Sequence, residues 1–526
     1  MKRANSYEEL YNNFTWDIPE HYNMGVDVCD KWADQEPDKI AIIELTNGTR
    51  NDVSFGELKI LSDNLASHLH SIGIKKGDRI GVLRSQSVWT AAAHIAIWKL
   101  GAISVPLFIL FREEALLTRL ENCGAKAIIV DEVSIKLAEP LQEKLPNLNH
   151  IIVPEHIDFN TKIDFEIVDT KAEDPAILIY TSGTTGAPKG ALHAHRVLLG
   201  HLPGVELSHD FLPQKGDVIW TPADWAWIGG LFDVLMPALH HGVPVVAARL
   251  PKFNSKACKE IIETAGIKNV FFPPTALKML KAENVKIEGL RSVASGGEPL
   301  GAELLEWGKK NLGVSINEFY GQTECNMIVT SCANLFETRA GYTGRIVPGH
   351  VVSVIDVDGE IIDQEGDIAV RRGTPVMMLK YWKNEEATAE IFFGDWMLTG
   401  DRGIIEEGYI RFIGRDDDVI TSAGYRIGPT SIENCLMGHE AVKMAAVIGK
   451  PDAQRTEIVK AYVVLNEGVQ QTENLVRGLQ KHVKEKLAAH EYPREVEFVT
   501  ELPMTVTGKI IRKELKARAI AELEGR

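Results

Sequence analysis

Hydrophobic positions from about residue 25 onward alternate between helical and strand-like spacing. Ser54 and Glu57 fit a capping box at the start of a predicted helix. The leucines that follow recur at helical spacing, at Leu58, Leu61, Leu65 and Leu69. Short apolar runs follow such helical segments at 80–83, 127–130, 243–247 and 270–272. Helices between short β-rich runs predict an α/β fold with layered, largely parallel sheets.

Beyond about residue 350 the pattern changes to short strands separated by Gly and Asp turns. The runs at 351–357, 367–371 and 409–413 indicate a small β-rich subdomain. A segment of roughly 110 residues, the size of one small domain, follows the acidic triplet 416–418. This segment contains a predicted helix at 474–490. One face of that helix carries Leu475, Leu479, Val483 and Leu487.

The chain is therefore predicted to have two domains. Residues 1–416 form a large N-terminal domain of two α/β layered subdomains plus the β-rich subdomain. Residues 417–526 form a small α+β C-terminal domain, with the acidic triplet as the linker.

Composition and charge exclude several classes of protein. The 526-residue chain is 45% hydrophobic and 25% charged, which excludes a disordered, collagen-like or coiled-coil chain. With 57 Lys and Arg against 73 Asp and Glu, the net charge is −16, which argues against a nucleic-acid or anionic-membrane surface. A small anionic ligand can still bind where a local loop supplies the donors.

No segment predicts export or a membrane span. Residues 1–10 have no apolar run behind their basic residues, so we expect no signal peptide. The most apolar stretch, 89–111, contains His94, Lys99, Gly101 and Pro106 and is predicted to be a buried helix followed by a strand. The six cysteines form no C-x-x-C pair, which favours a reducing cytoplasm without disulfides or a zinc site.

The loop at residues 180–190 is the strongest chemical feature of the sequence. It follows the apolar run 176–179, and its glycines free the backbone so that N–H groups and hydroxyls can surround an anion. Pro188 excludes a Walker A loop, which requires glycine before its lysine. The predicted phosphate ligands are Thr181, Ser182, Gly183, Thr184, Thr185, Gly186 and Lys189.

At this loop the chain resembles the adenylate-forming superfamily of acyl-CoA synthetases, peptide-synthetase adenylation domains and luciferases. The resemblance covers nearly the whole chain, because further family motifs occur in the expected order. They are Ser295–Pro299, Tyr320–Glu324, Thr399–Asp401, Gly414–Asp418, Gly424–Arg426 and Thr507–Lys509. Overall the chain looks most similar to the medium-chain acyl-CoA synthetase branch.

The resemblance implies an ATP site. A hydroxyl beside a carboxylate, as in Thr323 and Glu324, suits a hard cation and the phosphates it bridges. The family assigns Glu324 to Mg²⁺ and Thr323 to the phosphates. The remaining nucleotide contacts are implied for Gly297, Glu298, Pro299, Glu318, Phe319, Tyr320, Asp401 and Arg415.

The resemblance also implies a mobile C-terminal domain that serves two half-reactions. Lys509 would stabilise charge on the α-phosphate while a carboxylate attacks ATP, giving an acyl-adenylate and pyrophosphate. Asp417 matches the hinge, and Gly424 would then face the pantetheine tunnel while a thiol displaces AMP. Arg426 matches a phosphate-contact arginine, so the implied catalytic residues are Lys509, Thr323 and Arg426.

The acyl pocket is implied near Trp225, Trp227, Gly296 and Gly321. Acetyl-specific relatives carry a tryptophan directly before the Gln-Thr-Glu element, and here that position is Gly321. We therefore expect an open pocket floor and a short- to medium-chain acid, although Trp225 and Trp227 could narrow the slot from another side.

Three functions are compatible with the sequence. The first is an AMP-forming acyl-CoA ligase of fatty-acid metabolism that uses ATP, Mg²⁺, CoA and a small carboxylic acid. The second is an adenylation enzyme that loads a carrier-protein phosphopantetheine in trans. The third is a non-catalytic scaffold, against which the complete motif set argues. The sequence leaves homo-oligomerisation open.

Overall fold

The computed structural model describes most of the chain. The described residues are 1–46, 48–157, 165–181, 188–250, 252–415, 418–422, 425–452, 455–487, 491–505 and 510–524. The side chains of residues 425, 426 and 524 are not among them.

The strands follow in chain order. They are β1 (Ile40–Thr46), β2 (Thr49–Ser54), β3 (Arg79–Leu83), β4 (Ile103–Pro106), β5 (Ala127–Val130), β6 (His150–Ile152), β7 (Pro175–Thr181), β8 (Lys189–Ala194), β9 (Ile219–Trp220), β10 (Val245–Ala247), β11 (Asn269–Phe271), β12 (Ser292–Gly296), β13 (Ile316–Tyr320), β14 (Val329–Thr330), β15 (Arg345–Ile346), β16 (Val352–Ile355), β17 (Gly366–Arg371), β18 (Lys380–Tyr381), β19 (Phe392–Phe393), β20 (Trp396–Glu406), β21 (Tyr409–Arg415), β22 (Ile420–Ser422), β23 (Tyr425–Ile427), β24 (Val442–Asp452), β25 (Thr456–Leu465) and β26 (Glu495–Phe498).

The helices cover the sheets. They are α1 (Tyr7–Asn12), α2 (Lys31–Gln35), α3 (Phe55–Ser71), α4 (Val88–Lys99), α5 (Glu113–Cys123), α6 (Ile135–Lys144), α7 (Val197–Ser208), α8 (Ile228–Gly230), α9 (Met236–His241), α10 (Ser255–Ala265), α11 (Pro274–Ala282), α12 (Ala302–Asn311), α13 (Glu385–Glu390), α14 (Pro429–Met437), α15 (Glu473–Lys486) and α16 (Arg512–Glu524). Short π-helical turns span Val26–Asp30 and Leu231–Leu235, and 3₁₀ turns span Glu132–Ser134 and Pro154–His156.

Two largely parallel sheets form the layered part of the chain, as the sequence predicts. One has the order β15-β14-β13-β12-β11-β9-β10-β1-β2, and the other β18-β8-β7-β4-β3-β5-β6. Antiparallel pairing is confined to the ends of both sheets, for example β13 with β14 and β7 with β8. The predicted capping box at Ser54 is present, and α3 buries Leu58, Leu65 and Leu69.

The apolar stretch 89–111 folds into helix α4 and strand β4, as predicted. Its buried Lys99 is neutralised by Asp30, 2.6 Å away, and Asp63, 2.5 Å away. No helix in the described ranges is long and apolar enough to cross a membrane.

The β-rich part and the C-terminal part are separate sheets. Strands β16, β17, β20, β19 and β21 pair antiparallel. In the C-terminal part, β24 and β25 form a long antiparallel pair with α14 and α15 on one face and α16 on the other. Helix α15 buries Leu479 and Val483 but ends at Lys486, before the predicted end at 490. The boundary at 416/417 stays a prediction, since both residues lie outside the described ranges.

Candidate active site

The candidate site lies at one edge of the β15–β2 sheet. The parallel strands β9, β11, β12 and β13 end there at Trp220, Phe271, Gly296 and Tyr320. Because the carboxyl ends of parallel strands meet at the same edge, four separate sequence segments converge on it.

A hydrogen-bonded cluster joins three of the predicted nucleotide motifs. The hydroxyl of Tyr320 donates to Oδ2 of Asp401 over 2.7 Å, and Nε2 of Gln322 donates to the same oxygen over 3.2 Å. Asp401 on β20 stands opposite Arg415 on β21. Burial and the neighbouring Asp401 raise the pKa of Tyr320 well above its ordinary value, so its hydroxyl stays a donor. The structure thus brings Tyr320, Asp401 and Arg415 together.

A second cluster joins the ends of the 180–190 loop to the Gln-Thr-Glu segment. Thr181 and Lys189 are paired across β7 and β8. The Lys189 ammonium lies 5.3 Å from the ring centroid of Tyr381, whose hydroxyl donates to Oε1 of Glu324 over 2.6 Å. Thr323 is half-buried beside Glu324. Tyr381 was missed by the sequence analysis, because it lies on a short edge strand outside every recognised motif.

The Gly297–Leu300 turn, which is predicted to contact the nucleotide, is held by the buried carboxyl group of Glu318. Gly297 has φ +100°, a conformation that favours glycine, and Glu298 pairs with Lys278 over 3.4 Å. Glu318 is 4% exposed, and its Oε2 accepts from the backbone N–H of Leu300 over 3.3 Å. Glu318 therefore braces the Gly297–Leu300 turn from beneath. Its direct contact with ATP stays a prediction.

This buried carboxyl gives a pH-dependent stability. Burial raises the pKa of Glu318 from 4.5 to about 8, so in this interval the folded chain keeps a proton that the unfolded chain releases. The stability contribution is complete below pH 4.5 and is lost as the pH rises to about 8. Glu318→Gln keeps the hydrogen-bond acceptor but has no group that titrates. Its free energy of unfolding relative to wild type should therefore rise with pH, by up to about 1.4 kcal/mol per pH unit between pH 5 and 8. Unfolding at several pH values measures this difference. The exposed Glu306→Gln is the control, and parallel curves for all three proteins would contradict the assignment.

Aromatic rings dominate the region predicted for the acyl group. Trp225 is 1% exposed, and half-buried Trp227 packs against the rings of Phe108 and Phe111, with centroids 5.4 Å and 6.1 Å away. Phe319, predicted to contact ATP, packs on Phe271, with ring centroids 5.2 Å apart. Its contact with ATP stays a prediction.

The structure corrects one step of the sequence argument about this pocket. A Cβ atom placed on Gly321 would lie 2.3 Å from the backbone nitrogen of Met327 and 2.8 Å from Cα of Asn326. Backbone therefore fills the space into which a side chain of residue 321 would grow, so the lack of a side chain at Gly321 does not by itself open the pocket. An open pocket floor stays a prediction. Similarly, a Cβ on Gly296 would lie 2.4 Å from the Phe319 ring. The membership of both glycines in the acyl pocket stays a prediction.

Several predicted residues cannot be placed. Those outside the described ranges are Ser182, Gly183, Thr184, Thr185, Gly186, Asp417, Gly424 and Lys509. For Arg426 the backbone is placed on β23, paired with Thr421.

Fold and site together define an AMP-binding enzyme. The AMP-binding enzyme family matches residues 29–382, and the AMP-binding enzyme C-terminal domain matches residues 431–509. The chain therefore belongs to this family.

Two similar proteins and one similar solved structure show which kinds of enzyme the chain resembles. The chain is 34% identical to human acyl-coenzyme A synthetase ACSM4, mitochondrial, over 97% of this chain and 92% of that protein. It is 32% identical to acetyl-coenzyme A synthetase of Bacillus subtilis (strain 168), over 97% of this chain and 95% of that protein. The crystal structure of the anthranilate CoA ligase AuaEII in complex with anthranoyl-AMP matches with a TM-score of 0.87 at 28% identity, covering 97% of this chain and 99% of that one.

These findings confirm the predicted fold and the resemblance to acyl-CoA synthetases. They support the acyl-CoA ligase over the carrier-protein alternative.

Proposed function

We propose that this chain is an ATP-dependent, AMP-forming acyl-CoA ligase for a short- to medium-chain carboxylic acid. The observation that carries the proposal is that two clusters, Tyr320–Asp401–Arg415 and Lys189–Tyr381–Glu324, join the carboxyl end of β13 to the second layered sheet and to the β-rich part. Family membership supports it independently.

The donors present suit ATP. Asp401 can accept from the ribose hydroxyls beside Arg415, and the Tyr320 ring offers a flat face to the adenine. Lys189 supplies positive charge for the phosphates, and Tyr381 orients Glu324 by holding its Oε1. In the described part of the chain no group donates to Oε2 of Glu324, which leaves this oxygen for Mg²⁺. Mg²⁺ would neutralise the phosphate charge there.

The reaction has two displacements. An oxygen of the substrate carboxylate attacks the α-phosphorus of ATP, and pyrophosphate leaves. The thiol of CoA then attacks the acyl carbon, AMP leaves with the bonding electrons, and the thiol proton is released to solvent. Neither step needs a protein nucleophile, so positioning and charge stabilisation by this chain's residues supply the catalysis.

The C-terminal residues divide between the two steps. Lys509 stabilises charge at the α-phosphate during adenylation, and rotation at Asp417 brings Gly424 to the thiol path. Arg426 contacts phosphate. The two family matches, on either side of residue 417, support a division of the chain near this position.

The identity of the acid is proposed from the relatives and from the aromatic lining. The named relatives include an acetyl-coenzyme A synthetase and an acyl-coenzyme A synthetase at similar identity, 32% and 34%. The aromatic lining from Trp225 to Phe319 favours a substrate with more apolar surface than acetate. A cytoplasmic location is proposed with it, supported by six cysteines without a disulfide.

Acid-dependent ATP–pyrophosphate exchange tests the proposal. We expect exchange with linear acids and none with amino acids, with kcat/KM rising from C2 by close to fourfold per added methylene, about 0.8 kcal/mol of burial each, until the pocket is full. CoA should then serve as the thiol acceptor. If no acid supported exchange, the proposed ligase function would be refuted. An optimum at acetate would refute only the chain-length assignment.

A further inference from the structure

Two polar side chains, Asp233 and Asn326, are buried together behind the predicted acyl region. Asp233 is 2% exposed and Asn326 is 5% exposed. The Nδ2 group of Asn326 lies 2.8 Å from both carboxyl oxygens of Asp233. A carboxyl in an apolar core normally has several donors. Within the described ranges, Asn326 is the one side chain that donates to this carboxyl.

This pair adjoins the residues predicted to line the acyl site. A Cβ atom placed on Gly229 would lie 3.4 Å from Oδ2 of Asp233 and 3.1 Å from the ring of Phe271. On the other side, Cα of Asn326 lies 2.8 Å from the Cβ position of Gly321. The pair therefore lies between the backbone at Gly229 and the backbone at Gly321. The Phe271 ring beside it packs on Phe319.

The backbone on both sides of the pair has uncommon geometry. Asp233 sits in the π-helical turn Leu231–Leu235, a geometry that is rare and recurs at functional sites. Met327, directly after Asn326, has φ +59°, which costs free energy in a residue with a side chain. Tight packing holds it there, because Gly204 leaves no room beside the Met327 side chain.

The chemistry of the pair defines what it can bind. Burial raises the pKa of Asp233 well above its ordinary value, which favours the neutral carboxyl group with its O–H donor. Among the described residues none donates to the amide oxygen of Asn326. One donor and one acceptor are therefore left, and a hydroxyl group can satisfy both. An ammonium would require an ionised Asp233, and a second carboxylate would lose its hydration without a cation to replace it.

We propose that Asp233 and Asn326 form the polar end of the acyl site and select a carboxylic acid that carries a neutral hydroxyl group over the matching unsubstituted acid. This inference rests on the proposed ligase function and specifies its substrate class. A site that hydrogen-bonds a substrate hydroxyl discriminates against the analogue lacking it, because its own polar groups would then stay unpaired.

Matched acids test this selectivity. We would measure kcat/KM for butyrate against 3- and 4-hydroxybutyrate and against 4-aminobutyrate, whose amine is an ammonium. We would also measure it for benzoate against 3-hydroxybenzoate. Wild type should favour at least one hydroxy acid over its unsubstituted partner by about tenfold or more. The double variant Asp233→Leu/Asn326→Leu, in which both polar partners are replaced together, should reduce that ratio to within about twofold. Asn311→Leu, a buried polar residue outside the site, should leave it unchanged.

Three results would overturn the inference. They are a wild-type ratio of hydroxy acid to unsubstituted acid of one or below in every pair, a preference for 4-aminobutyrate over 4-hydroxybutyrate, or an unchanged ratio in the folded double variant. If the double variant does not fold, the wild-type ratios decide alone. Absence of acid-dependent exchange with any acid would instead refute the ligase function itself.

Discussion

Replacing Lys509 by alanine is expected to lower acyl-adenylate formation by about two orders of magnitude or more. This is the usual cost of removing one contact that stabilises charge in the transition state. Thioester formation from supplied acyl-adenylate should survive, because the role proposed for this lysine is confined to the α-phosphate. Rapid-quench assays of each half-reaction measure the two rates separately.

Gly424→Leu is the matched counterpart. Its side chain would obstruct the thiol path, so thioester formation should fall while adenylation is retained. Equal losses of both half-reactions in both variants would remove the case for a rotating C-terminal domain.

Arg512→Ala is expected to destabilise the C-terminal part by about 3–5 kcal/mol, the cost of leaving a buried charge without its partner. Arg512 begins α16, and its guanidinium lies 2.7 Å and 2.9 Å from the two oxygens of Glu433, which is 4% exposed. It also reaches Asp418, 3.4 Å away, directly after the predicted hinge. Denaturant unfolding followed by a probe in this part measures the loss.

Arg477→Ala provides the control in the same part of the chain. Arg477 and Glu473 are 3.7 Å apart on α15 and strongly exposed, so the loss there should be below about 1 kcal/mol. A similar loss of unfolding free energy in both variants would show that the Arg512–Glu433 pair stabilises the fold no more than an exposed ion pair does.

Much of the candidate site could be predicted because its residues lie in short, ordered motifs. The same holds for α3, where the capping box and leucine spacing are local features that the fold preserves. Tyr320 and Asp401 occur in separate motifs, and the fold joins them in one hydrogen bond.

Features that depend on contacts distant in sequence could not be predicted. Tyr381 reaches Glu324 only because β18 pairs with β8. The backbone that crowds Gly321 belongs to a turn whose path the sequence does not reveal. The pairing of Asp233 with Asn326 joins residues 93 positions apart, and neither stands in a pattern that indicates a site.

The central claim is most directly tested by identifying the phosphorus-containing products of the complete reaction with ATP, CoA and an accepted acid. ³¹P NMR with mass spectrometry of the thioester should show AMP, pyrophosphate and acyl-CoA in equal amounts. Release of ADP and phosphate instead would contradict an adenylate intermediate and, with it, the function proposed for this chain.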